Sequence, residues 1–177
     1  MNDKAQNQLE RYRELRNEVS ELSEKLANLH KDEMVCKKGC SECCMHFSVL
    51  PVEYFSILQE LKANPPKGYQ ELDEEADDCN FLIHDLCQIY ESRPFICRTH
   101  GLPLLFMSPE GDDWELSTCP LNFTDFEDFH SGNTFMQDTY NSKLFLINQE
   151  FVKNYEAEKF GDFDMISINR LVTDLKK

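Results

Sequence analysis

Four of the chain's eight cysteines fall between positions 36 and 44, as Cys36, Cys40, Cys43 and Cys44, and no other feature restricts the fold as strongly. The remaining four, Cys79, Cys87, Cys97 and Cys119, are spread through the middle of the sequence. On a helical turn Cys36 and Cys40 face the same side, and Cys40 with Cys43 can form a chelating turn, so three sulfurs can reach one centre. Adjacent cysteines diverge, which makes it awkward for both Cys43 and Cys44 to bind one mononuclear ion. The pair therefore points to two metals, to a sulfur-bridged cluster, or to a cysteine with another task. Eight thiolates suffice for two tetrahedral four-cysteine zinc sites, or for a four-iron cluster with sulfurs to spare, and spacing does not choose between them.

Whether these cysteines are ligands or disulfides depends on the compartment. The N-terminus, MNDKAQNQLERYRELRNEV, is charged throughout and lacks the apolar stretch of a secretory signal, and no run approaches the ~18 apolar residues of a membrane span. The expectation is a cytoplasmic chain held in a reducing thiol pool, where closely spaced cysteines serve as metal ligands. Lys and Arg number 18 against 33 Asp and Glu, a formal charge of -15. A nucleic-acid backbone would be repelled at long range. The acids are bunched: Glu71, Asp73, Glu74, Glu75, Asp77 and Asp78 stand just before Cys79, and no Lys or Arg occurs from Thr99 to Ser142. Such runs keep a chain in solution, and here they also offer a face to a basic protein or peptide.

With 41% hydrophobic residues, 13 Phe and 177 residues in all, the chain can bury one core. From Ala5 to Asp32 there is no Gly or Pro, and Tyr12, Leu15, Val19, Leu22, Leu26 and Leu29 recur at alternating steps of three and four, an a/d seam. That helix can pack on its own domain or pair with a second copy as a homodimer. Because its seam contains no cysteine, it should also be separable from the metal centre. A second helix is expected from Pro51 or Val52 to about Lys62. Asn80 to Tyr90 reads as a hairpin, and Leu102 to Ser108 with Trp114 to Thr118 as a second β pair. Helical spacing returns between Thr134 and Glu158, and a last helix is expected over Met165 to Leu175.

The cysteine array, followed by CNFL from Cys79, by CQIYESRPFICR from Cys87 to Arg98, and by the later Cys119 and Pro120, resembles the cysteine-cluster family of zinc- or iron-chelating domains. The resemblance spans Cys36 to about Pro120 and implies a metal or iron-sulfur centre. A related array occurs in bacterial flagellin lysine methylases, which brings in an iron-sulfur enzyme acting on a protein lysine as an analogy. The CxxxCxxC spacing of Cys36, Cys40 and Cys43 also looks like the cluster loop of radical S-adenosylmethionine enzymes. There, however, an aromatic usually precedes the third cysteine, where this chain has Glu42, and the chain is short for a barrel of that kind.

The reading is thus an α+β protein, mainly helical with two short β pairs, organised around a cysteine-ligated metal centre. Residues 1–34 form the heptad helix, 35–122 the cysteine-cluster core and 123–177 helices packed on it, a single domain overall. Cys36, Cys40, Cys43, Cys44, Cys79, Cys87, Cys97 and Cys119 are the candidate ligands, of zinc or iron in mononuclear, dinuclear or iron-sulfur form. Lys37, Lys38, Arg93 and Arg98 flank cysteines, and Arg93 and Arg98 are the candidates to offset thiolate charge and hydrogen-bond the sulfurs. Tyr90 and Phe81 are expected to wall the sulfurs from water. The leading function is metal binding in the cytoplasm; the competing ones are the lysine-modifying iron-sulfur enzyme and a zinc-organised interaction module for basic partners.

Overall fold

The computed structural model describes residues 1–37, 39–70 and 78–177. Helix α1 covers Asp3–Leu29, the length that a stretch without Gly or Pro allows. Asn2 starts it, its side-chain oxygen accepting from the Ala5 N–H at 2.9 Å, which satisfies one donor of the open first turn. Strand β1 (Ser48–Val49) leads into α2 (Pro51–Ala63), which begins with Pro51 at the first helical position, where a missing N–H costs nothing. Two-residue strands β2 (Leu82–Ile83) and β3 (Leu86–Cys87) follow, then a 3-10 turn at Tyr90–Ser92 and the short helix α3 (Phe95–Thr99). Strands β4 (Leu104–Met107), β5 (Trp114–Ser117) and β6 (Phe135–Met136) precede α4 (Gln137–Asn154), β7 (Ile166–Ser167) and α5 (Arg170–Asp174).

The fold is α+β, with helices around short sheets. Both β pairs expected from sequence are present and antiparallel, Leu82 opposite Cys87 and Leu104 opposite Ser117. Two further pairings were not legible. β6 adds to β4 in parallel, and β1 pairs with β7 across more than a hundred residues. The second pairing corrects the last helix: Ile166 and Ser167 belong to a strand, and only Arg170–Asp174 is helical. A partner strand distant in sequence overrides local helical spacing there.

Two apolar clusters hold the chain together, and α2 lies between them. The first joins Leu9, Tyr12, Val19 and Leu26 of α1 to Val52, Phe95, Phe135 and Phe151. The second joins Tyr54, Ile57 and Leu61 of α2 to Phe81, Ile89, Ile166, Leu171 and Val172. Phe55, on α2, packs against both. The a/d seam is therefore consumed inside the chain: Tyr12, Leu15, Val19 and Leu26 are buried, and Leu29 alone of its six positions stands exposed. Within the chain, α1 packs against α2, α3, α4 and β6. Arg13 and Arg16 add ion pairs from α1 to Glu60 on α2, at 3.1 and 2.8 Å. No helix among the described residues is long and apolar enough to cross a membrane.

Candidate metal centre

The cysteine array is a run of tight turns. Cys40 N–H donates to the Lys37 carbonyl at 2.9 Å and Cys44 N–H to the Ser41 carbonyl at 2.8 Å. One side chain ties the start of this run to two distant segments. Asn122 accepts from the Val35 N–H at 2.9 Å, donates to the Gly101 carbonyl at 2.8 Å, and turns the same amide towards Cys36 Sγ at 3.3 Å. The Asn122 N–H donates in turn to the Cys119 carbonyl at 2.9 Å. Cys119 is thereby brought to Cys36, and the Cys36 thiol also hydrogen-bonds that of Cys40.

At the other end of the run, Met45 pairs with Asp78 as an isolated antiparallel bridge, and the Cys79 N–H donates to the Cys44 carbonyl at 3.3 Å. Cys79 opens the hairpin, its carbonyl accepting from the Leu82 N–H at 2.9 Å, and Cys87 lies opposite Leu82 across the pair. The turn between the strands is His84 and Asp85, both left-handed at φ 49° and 58°, the conformation of a two-residue hairpin loop. Cys97 arrives on α3. The first N–H of that helix, from Phe95, is accepted by Glu53 Oε1 at 3.0 Å, so α2 sets the position of Cys97.

Arg93 sits close to Cys44, Cys87 and Cys97. Its guanidinium lies 3.5 Å from the centroid of the Tyr90 ring, donates from Nε to the Tyr90 carbonyl at 2.9 Å, and reaches the Cys97 carbonyl at 3.4 Å. Its charge favours the thiolate form of Cys44, Cys87 and Cys97. Arg98 is placed differently: it donates to the carbonyls of Arg93 and Glu91 and to Ser20 Oγ on α1, and so clamps α3 to the first helix.

All eight thiols are free; Cys36 is exposed and the other seven are partly buried. Burial, and then neighbouring thiols, push Cys43 and Cys79 up to about 11, and burial raises Cys97 further still. A divalent zinc or iron ion among these sulfurs would reverse the sign of every such interaction. The donor set fits these metals, being thiolate-rich with one guanidinium and one amide at its margin. Among the described residues no three His, Cys, Asp or Glu side chains are already closed to the spacing of a metal cage.

Phe81 is fully buried and packs in the cluster that Cys79 and Cys87 border, whereas Tyr90 is 56% exposed and serves as a platform for Arg93 instead of a dry wall. Lys37 and His46 are exposed. His100 has its ring 5.2 Å from that of Phe47, burial pushes it below the ordinary imidazole range, and its Nε2 has no hydrogen-bond partner among the described residues. Lys38 and the acids from Glu71 to Asp77 lie outside the described residues. Sequence reasoning missed Asn122, Glu53 and Gly101. Their roles depend on contacts across 20 to 90 positions, and no local pattern marks them.

No curated protein and no solved structure matches the chain. The family comparison does give a match, to the CxxCxxCC model, described as a putative zinc- or iron-chelating domain. The matched segment begins one residue before Cys36 and ends one residue after Cys119, so it contains every cysteine and excludes α1 and α4. Residues 35–120, just under half of the chain's length, are thus similar to that domain.

Proposed function

We propose that this protein binds zinc or iron through its cysteine thiolates, and that the metal staples the cysteine-bearing segments onto the helical core. The observation that carries the reading is the gathering of half-buried free thiols from 36–44, 79–97 and 119, segments joined by single hydrogen bonds and strands two residues long. Hairpins of that size are marginal alone, and metal-binding free energy becomes folding free energy where ligands come from separate segments. Free thiols in such number belong in a reducing compartment, which supports a cytoplasmic setting. The test is metal analysis with an absorption spectrum on anaerobically purified protein. Zinc or iron bound at stoichiometric level, released by chelator together with loss of folded signal, is expected. Folded, metal-free protein with every thiol reactive would overturn the proposal, and iron with acid-labile sulfide would shift the centre from staple to redox cofactor.

A further inference from the structure

The cysteines fall into two neighbourhoods that meet at Cys43 and Cys44, whose thiols hydrogen-bond each other. We propose that they form two separate four-thiolate centres, divided at the Cys43–Cys44 peptide bond, with Cys36, Cys40, Cys43 and Cys119 in one and Cys44, Cys79, Cys87 and Cys97 in the other. This rests on the chelation reading above and goes further in fixing the number of ions and the ligands of each.

The division follows from hydrogen bonds on either side of that peptide. Upstream, Asn122 fastens Val35, the Cys36 sulfur and the Cys119 carbonyl to one amide side chain and its own backbone. Downstream, the Met45–Asp78 bridge and the Cys79-to-Cys44 hydrogen bond fix Cys44 beside the hairpin that carries Cys79 and Cys87. Arg93, bound to the Cys97 carbonyl, belongs to this second group. The Cys43 and Cys44 thiols hydrogen-bond each other, so the division requires one of the two side chains to turn about its Cα–Cβ bond when the ions bind. Each centre then receives four sulfurs, the complement of a closed structural zinc site.

The two centres differ in ways that bear on exchange. In the first, Cys36 is exposed, the ligands come from turns and loops, and the group nearest a sulfur is a neutral amide. In the second, Cys79 and Cys87 border a buried apolar cluster, and Arg93 offsets one of roughly two excess negative charges that four thiolates leave on a divalent ion. The first centre is therefore the exchangeable one, and the second is the retained one.

The test is loading of the full chain with zinc alone under anaerobic conditions, followed by native mass spectrometry and timed release to a chelator. Two zinc ions per chain are expected, leaving in two phases of equal amplitude. Cys119→Ser should hold one ion and lose the faster phase; Cys87→Ser should lose the slower one. A single ion in the loaded wild type overturns the division while leaving chelation intact, and a wild type that takes up neither zinc here nor iron in a parallel anaerobic loading overturns chelation itself. A sulfur-bridged cluster would release both ions together and lose both in folded Cys119→Ser, which also overturns the division. Should Cys119→Ser fail to fold, cobalt titration of the wild type decides. An end point at two equivalents, with charge-transfer intensity for four sulfurs per ion, supports the division, and an end point at one equivalent overturns it.

Discussion

The helical part of the molecule and its cysteine-bearing part are stabilised by different physics. Around α1, α2 and α4 the core is made of large side chains removed from water entirely, among them Leu9, Tyr12, Val52 and Phe151. Each such burial contributes on the order of 1.5–3 kcal/mol before entropy is counted. Between Val35 and Pro120 the elements outside α2 are two to five residues long, and no cysteine is fully buried. The apolar residues that do anchor this part, Phe81, Ile89 and Phe95, belong to clusters that include many helix residues. One region carries its own stability, and the other is joined to it by a few apolar anchors.

The strongest challenge to that asymmetry is removal of α1. Deleting residues 1–30 takes Leu9, Tyr12, Leu15, Val19 and Leu26 from the first cluster and Arg13 and Arg16 from Glu60. The expected outcome is loss of any cooperative thermal transition and of metal retention with it. A truncated chain that melts cooperatively and keeps its metal would show the cysteine part to be autonomous.

A smaller effect is expected at Glu53, the residue that couples the two parts. Its buried carboxylate accepts from the Phe95 and Leu50 N–H groups and from the Tyr12 hydroxyl, at 3.0, 3.4 and 3.3 Å. Glu53→Ala strands these donors and should lower stability by about 2–4 kcal/mol in denaturant melts, with metal affinity falling as α3 loosens. Burial raises the Glu53 carboxyl above its ordinary range, against the lowering effect of Phe95, Leu50, Tyr12 and nearby Arg16. The folded state then binds this proton more tightly than the unfolded chain does. Stability contributed here is greatest below the ordinary carboxylate range, declines as pH rises through the raised folded value, and is level above it. Glu53→Gln should remove that component from the difference between the two stability profiles; an unchanged profile would mean that Glu53 ionises without penalty.

The same contrast explains what could be read from the sequence. The long amphipathic helices were legible because their pattern is local: Tyr12, Leu15, Val19 and Leu26 announce a buried stripe whatever they pack against. The identity of the opposing surface was not legible, and the seam proved to face α4 and α2 of the same chain. The hairpin ending at Cys87 was found from its apolar runs, whereas the β1–β7 and β4–β6 pairs, each joining segments distant in sequence, were not. At the candidate site the cysteines declared themselves by residue type. Which of them neighbour each other depends on Asn122 and on the Met45–Asp78 bridge, contacts that no spacing encodes.

The finest probe of the comparison is Gly101, which lies against Cys36 inside the cysteine-bearing part. Its φ of +89° suits glycine, and a Cβ there would stand 2.6 Å from Cys36 Sγ and 3.4 Å from Asn122 Nδ2. Gly101→Ala should therefore cost about 1–2 kcal/mol in backbone strain and in addition displace the exposed sulfur that Asn122 holds. Gly111 supplies the control, with φ +78° and nothing within 4 Å of its hypothetical Cβ, so Gly111→Ala carries strain without the sulfur contact. Melting temperatures of the two variants should fall by similar small amounts. Zinc release from Gly101→Ala should be faster than from Gly111→Ala, and only in the phase assigned to the centre containing Cys36. Equal release from both would mean that Cys36 gives way freely, and that the space beside Gly101 serves the backbone turn alone.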